Sequence, residues 1–157
     1  MNIKILTTSY VDKISKICID SFLEGEYNYY LQKANLDGLD NFIDFCSVDN
    51  IRHKMQDPSY VFIGVMHENT LVAISCINIG SGKIPLFFVA PEYMGKGYGS
   101  FLLNKLTDYA KQQNLKVLHV DSTHFAVPFY QKHNFITVGT EIIIKGSIIT
   151  TPMKKKI

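Results

Sequence analysis

Long apolar runs are missing from this 157-residue sequence, and with them any segment able to cross a bilayer as a helix. Residues 1–8 lack the apolar centre of a signal peptide, which gives the expectation of a cytoplasmic protein without a membrane partner. Cysteine is scarce: Cys18, Cys46 and Cys76 cannot all pair and none sits in a Cys-x-x-Cys spacing. They read as reduced, mostly buried thiols. Charge of one sign is lacking too, for the formal net charge is only +2. The one basic run, Lys154-Lys155-Lys156, reads as a solvated tail, so no nucleic-acid partner is expected. His53, His67, His124 and His133 show no metal-ligand spacing, so no metal is expected. Repeats and low-complexity tracts are absent.

What remains is an ordinary globular composition, with 46% hydrophobic and 19% charged residues. A chain of this length forms one domain, 1–157, and buries roughly 70% of the surface its unfolded form exposes. Ile3 to Leu6 reads as an edge strand, and Val11 to Phe22 as a helix with an inward stripe. The polar and aromatic segment Leu23 to Tyr30, carrying Gly25, reads as a loop or short helix. Further helices are expected over Leu39–Phe45 and Asn50–Met55, the second ended by Asp57-Pro58. Tyr60–Met66 and Leu71–Ile79 form a hairpin, and Ile84–Val89 a third antiparallel strand. A helix from Gly99 to near Asn114 presents Leu102, Leu103, Leu106 and Ala110 on one face. Val117–Asp121 is a short strand expected to run parallel to the one before that helix. A last helix begins just before Pro128 and ends at His133, and Phe135–Ile144 and Ile148–Met153 are β-rich runs. The sum is a single α/β (α+β) domain: a mixed, mostly antiparallel sheet of about seven strands with flanking helices.

The chemistry concentrates where the third strand meets a glycine-rich turn. In Phe88-Val89-Ala90-Pro91-Glu92-Tyr93-Met94-Gly95-Lys96-Gly97-Tyr98-Gly99-Ser100, alternate glycines let the backbone approach a ligand and leave peptide N–H groups bare. The following helix adds unpaired donors and a positive dipole end, an arrangement suited to a diphosphate. A Walker A loop is excluded because Lys96 is followed by Gly97 rather than Ser or Thr. A dinucleotide fingerprint fits poorly, since the loop reads GxGxG and is separated from the strand, although Asp121 imitates that motif's ribose-binding acid.

The stretch resembles the signature of the GNAT superfamily of acetyl-coenzyme A dependent N-acetyltransferases, in which Pro-Glu-Tyr leads into (Gln/Arg)-x-x-Gly-x-(Gly/Ala). Met94 departs from the first position. A second block, Ala-x-x-Phe-Tyr-x-x-x-Gly-Phe, is met by Ala126, Phe129, Tyr130 and Phe135. Asn134 replaces its glycine, and Thr123 stands where many members carry an asparagine that contacts the coenzyme. The resemblance covers nearly the whole chain and is tight over residues 86–135.

The resemblance implies a GNAT-like fold with a central parallel strand pair that splays apart. It implies transfer of acetyl from acetyl-coenzyme A, as co-substrate, to a small-molecule or peptide amine by direct attack. Phe88, Val89, Met94, Gly95, Lys96, Gly97, Tyr98, Gly99, Ser100, Thr123 and Phe129 would hold the coenzyme, and Tyr130 would protonate the leaving thiolate. The general base is left open among Glu24, Glu26, His119 and Asp121. Tyr27, Tyr29 and Tyr30 could line the acceptor pocket or pack on the sheet. A homodimer is compatible with the sequence but not readable from it. Two rival readings stand beside this one: a non-catalytic coenzyme A or nucleotide-binding sensor, and a dinucleotide-dependent oxidoreductase.

Overall fold

A computed structural model describes residues 1–157. Alternating apolar residues build two four-stranded sheets. The first runs β1 (Asn2–Ile5), β2 (Tyr60–His67), β3 (Thr70–Asn78) and β4 (Leu86–Val89), each neighbour antiparallel. In the second, β5 (Val117–Ser122) and the short β6 (Ile136–Thr137) and β7 (Ile142–Ile144) all pair antiparallel with β8 (Ile148–Lys156). The α/β class expected from the sequence is the one observed, with eight strands instead of about seven.

The expected parallel pair exists at one point only. Lys83 and His119 form a parallel bridge, where the Ile84 N–H donates to the His119 carbonyl at 2.8 Å and the His119 N–H to the Gly82 carbonyl at 3.0 Å. Gly82, at φ +73°, brings its backbone against the Val117 carbonyl, where a Cβ would collide with main chain. Beyond this junction β4 keeps only β3 and β5 keeps only β8, so the facing edges of β4 and β5 separate.

Five helices cover the sheets. α1 (Val11–Gln32) is one continuous helix of 22 residues, so Leu23 to Tyr30 is not a loop. Gly25 suggested a break, but its bare Cα serves packing: an added Cβ would lie 2.9 Å from the Phe125 ring. Buried Glu26 and Tyr30 continue the inward stripe of Ile14, Ile17, Cys18 and Phe22. α2 (Leu36–Phe45) starts three residues earlier than expected because the Asn35 side chain accepts from the Gly38 N–H. α3 (Val48–Met55) is capped in the same way by Ser47.

α4 (Tyr98–Gln112) buries Leu102, Leu103, Leu106 and Ala110 against the two sheets. At about 1.5–3 kcal/mol for each buried leucine, this stripe fixes the helix and the loop before it. Asn114, at φ +62°, ends α4, with the Leu115 N–H returning to the Ala110 carbonyl at 3.0 Å. α5 (Val127–Lys132) ends in the same motif at Asn134, φ +67°, with the Phe135 N–H donating to the Tyr130 carbonyl at 3.0 Å. Asparagine thus does what glycine does at that place in the related block.

The β-rich run Phe135–Ile144 is split in two. Between the pairs Thr137–Met153 and Ile142–Thr150, residues 138–141 face only Thr151 and Pro152, and Pro152 has no N–H to donate. The three cysteines are free and buried. No helix is long and apolar enough to cross a membrane.

Candidate active site

The separation of β4 from β5 opens a cavity of about 710 Å3. Val89 and Asp121 line its two sides, the glycine loop lines one end, and α1 and α2 supply Phe22, Glu26 and Phe42.

The loop leaves its donors unused. None of the N–H groups from Gly95 to Ser100 donates to a carbonyl or side chain, and the first helical bond runs from Phe101 to the Gly97 carbonyl at 3.0 Å. Gly95 and Gly97 adopt φ +72° and +89°, and a Cβ on either would meet nothing within 4 Å. Both glycines line the cavity, and their unpartnered N–H groups lie at the N-terminus of α4. Gly99 is different. It lies in the helix with an ordinary φ, and it is small because Phe129 and Val89 would stand 3.3 and 3.5 Å from a Cβ there.

Of the residues expected at a coenzyme site, Phe88, Val89, Met94, Gly95, Gly97, Gly99, Ser100, Thr123, Phe129 and Tyr130 line the cavity. The side chains of Lys96 and Tyr98 do not. The Lys96 ammonium donates to the Glu92 carbonyl at 2.8 Å, and Tyr98 is buried with its hydroxyl 2.9 Å from His67 Nδ1. Both side chains are thus directed away from the cavity, which the loop lines with Met94, Gly95, Gly97, Gly99 and Ser100. The Ser100 hydroxyl lies 3.0 Å from His133 Nε2, tying α4 to the end of α5.

Tyr130 is 3% exposed, with its ring 5.3 Å from Phe129 and 5.1 Å from Phe135. Its hydroxyl makes no side-chain hydrogen bond, and burial pushes the phenol well above its ordinary range. At neutral pH it holds its proton. Among the base candidates, Glu24 and His119 are exposed and lie outside the cavity. Asp121 lines it but is held by Lys83 at 2.8 Å. Glu26 is 1% exposed and lines it, with one carboxylate oxygen accepting from the Phe125 N–H at 2.7 Å. Desolvation raises its pKa, while the Phe125 N–H, the Thr123 hydroxyl and His124 oppose the rise.

Tyr27, Tyr29 and Tyr30 stay out of the cavity. The Tyr29 hydroxyl donates to Glu141 at 2.6 Å, and Tyr30 is buried with its hydroxyl accepting from the Ile149 N–H at 2.7 Å. Cys76 lies in β3 away from the cavity, its thiol pushed up to about 12 by burial. Thr150 of β8 and Phe125 join the cavity without having been foreseen. Their sequence neighbourhoods carry only a strand pattern and a turn.

The sequence model of the acetyltransferase (GNAT) domain matches residues 30–157. This chain belongs to the GNAT acetyltransferase family. The solved GCN5-related N-acetyltransferase of Rhodopseudomonas palustris superposes with a TM-score of 0.84 at 15% identity, over 99% of this chain and 95% of that one. The PaiA N-acetyltransferase of Thermoplasma acidophilum, solved with coenzyme A, gives 0.79 at 20% identity over the whole of both chains. The yncA protein of Salmonella typhimurium, solved with acetyl-CoA, gives 0.71 at 14% identity over 99% and 93%. At such identities these likenesses establish the fold. No curated protein sequence matches significantly. The two antiparallel sheets are not the doubly wound parallel sheet on which the dinucleotide fingerprint is built.

Proposed function

We propose that this GNAT protein transfers acetyl from acetyl-coenzyme A to a primary amine by direct attack, without a covalent enzyme intermediate. The observation that carries the proposal is the run of undonated N–H groups from Gly95 to Ser100, opening into a cavity that reaches a buried, protonated tyrosine. Those amides suit a diphosphate, and the free edge of β4 at Phe88 and Val89 suits the amide-bearing pantetheine arm as an added strand. Phe129 and Thr123 border the same passage. Bound there, acetyl-coenzyme A supplies an activated thioester.

The chain's own groups do the rest. A main-chain N–H near Phe88 or Val89 faces the oxygen on which charge develops. Tyr130 gives its proton to the departing sulfur, a role for which a phenol kept neutral by burial is suited. Cys76 is too far removed and too weakly acidic to act as nucleophile. A lysine-like acceptor, with a pKa of about 10.4, must first lose a proton at a cost of about 4–5 kcal/mol at pH 7.

Replacing Tyr130 with Phe tests the reading. Thiol release should fall by about 10²-fold or more while calorimetric affinity for acetyl-coenzyme A stays within about twofold. Unchanged turnover would remove Tyr130 from the chemistry. A wild-type protein that binds coenzyme A but never releases thiol would favour the sensor.

A further inference from the structure

Two buried polar side-chain atoms in the whole molecule lack a hydrogen-bond partner: Glu26 Oε2 and Thr150 Oγ1. Both residues line the cavity between β4 and β5, and they are 1% and 3% exposed. Buried polar groups are almost always satisfied, so two orphans in one cavity mark a place shaped for a ligand. Glu26 is also held in position. Its other oxygen accepts from the Phe125 N–H at 2.7 Å, leaving Oε2 as the free end of a fixed carboxylate. Glu26 lies before residue 30, outside the part of the chain that the family's sequence model matches.

We propose that Glu26 and Thr150 form the amine-receiving subsite, and that the acceptor carries a single ammonium on an apolar or aromatic body. The inference rests on the transferase reading above and deepens it. The carboxylate and hydroxyl can accept two of the three N–H bonds of a primary ammonium. The surroundings fit an apolar body, since Phe22, Phe42, Phe45 and Phe88 line the same cavity.

Charge sets the number of cations. The cavity contains two carboxylates, Glu26 and Asp121, and Asp121 is paired with Lys83. Lys54, Lys132 and Lys145 also line it, and none of the three is in an ion pair. One carboxylate is therefore free for one ammonium, and a second cation on the acceptor would meet unpaired lysines. A polyamine or aminoglycoside is disfavoured.

The proton count closes. The ammonium gives its first proton to Glu26, which passes it to water. The nitrogen's electron pair then forms the C–N bond, and the C–S bond breaks with its pair on sulfur. Sulfur takes the Tyr130 proton, and the nitrogen's second proton restores the phenol. Groups facing Glu26 are Thr123 and His124 from the loop after β5, Glu141 before β7, and Tyr30 one turn along α1.

The test uses the full chain, with thiol release read for 2-phenylethylamine and for spermidine, and acetyl-coenzyme A affinity read by calorimetry. Wild type should turn over 2-phenylethylamine with kcat/KM about tenfold or more above spermidine. Glu26→Gln should lower kcat by about 10²-fold or more at pH 7 with coenzyme affinity unchanged, and the deficit should shrink towards pH 10. There the solution itself supplies neutral amine, so a merely structural role would show no such recovery. Thr150→Val, which keeps the shape, should raise the amine KM more than it lowers kcat. A melting temperature near wild type keeps both variants interpretable. Glu26→Gln at full activity, spermidine preferred, or neither amine accepted by a protein that binds acetyl-coenzyme A would each overturn the proposal. Absence of acetyl-coenzyme A binding in the wild type would instead overturn the transferase reading itself.

Discussion

A carboxylate placed at position 97 should cripple coenzyme binding, and a neutral residue of the same shape should not. Gly97 sits at φ +89° with no atom within 4 Å of an added Cβ, so Asp fits without a steric clash. The backbone conformation costs any L-residue about 1–2 kcal/mol, and asparagine shares that cost. What differs is charge. A carboxylate about 5 Å from a diphosphate, at a half-exposed site, opposes binding by about 2–3 kcal/mol, a factor of roughly 30 to 150. Calorimetric titration with coenzyme A should thus show Gly97→Asp weakened by about that factor relative to Gly97→Asn. Raising the salt from 0.05 to 0.5 M should narrow the gap, because exposed charges are screened. Equal affinities for the two variants would refute the reasoning, since then no anion lies beside these amides.

Other outcomes follow from the same structure. Burial raises the Glu26 carboxyl pKa in the folded chain, so the ionised form is the disfavoured one there. That destabilisation is absent below the unfolded value of about 4.3 and grows as pH rises through the folded value. Glu26→Gln should accordingly raise the melting temperature more at pH 8 than at pH 4, read by calorimetric scans; equal gains would contradict it. Gly82→Ala sets a Cβ against the Val117 carbonyl at φ +73°. It should cost about 3 kcal/mol, seen as a fall of roughly 6–12 °C in melting temperature. A fall of under 2 °C would mean that the β4–β5 junction tolerates more spacing than the structure shows.

Much of the fold is legible in the sequence because local rules agree there. The period of Leu102, Leu103, Leu106 and Ala110, the hairpin across residues 67–70, and the asparagines at 114 and 134 all point one way. Where the reading failed, tertiary contacts override local preference. Gly25 suggests a break in α1 until Phe125, a hundred residues on, occupies the space beside it. The run to Ile144 suggests one strand until Pro152 of β8 is set opposite its middle.

The site divides in the same way. Its glycine loop and the block around Tyr130 are contiguous motifs, so their spacing survives in the linear sequence. Its other end is assembled from α1, α2 and β8, and there Glu26 could not be told from Glu24. Helix continuation through Gly25 separates them, turning Glu26 inward and Glu24 to solvent. The side chains of Lys96 and Tyr98 turn to Glu92 and His67 instead of the cavity, partners that the spacing of the glycine loop does not announce.

The most direct measurement is an amide-resolved NMR titration with coenzyme A, followed by one with pantetheine, which lacks the diphosphate. Coenzyme A should move the N–H resonances of residues 95–100 together, with the dissociation constant found calorimetrically, and pantetheine should leave them in place. Coenzyme A that binds while those resonances stay still would contradict the account.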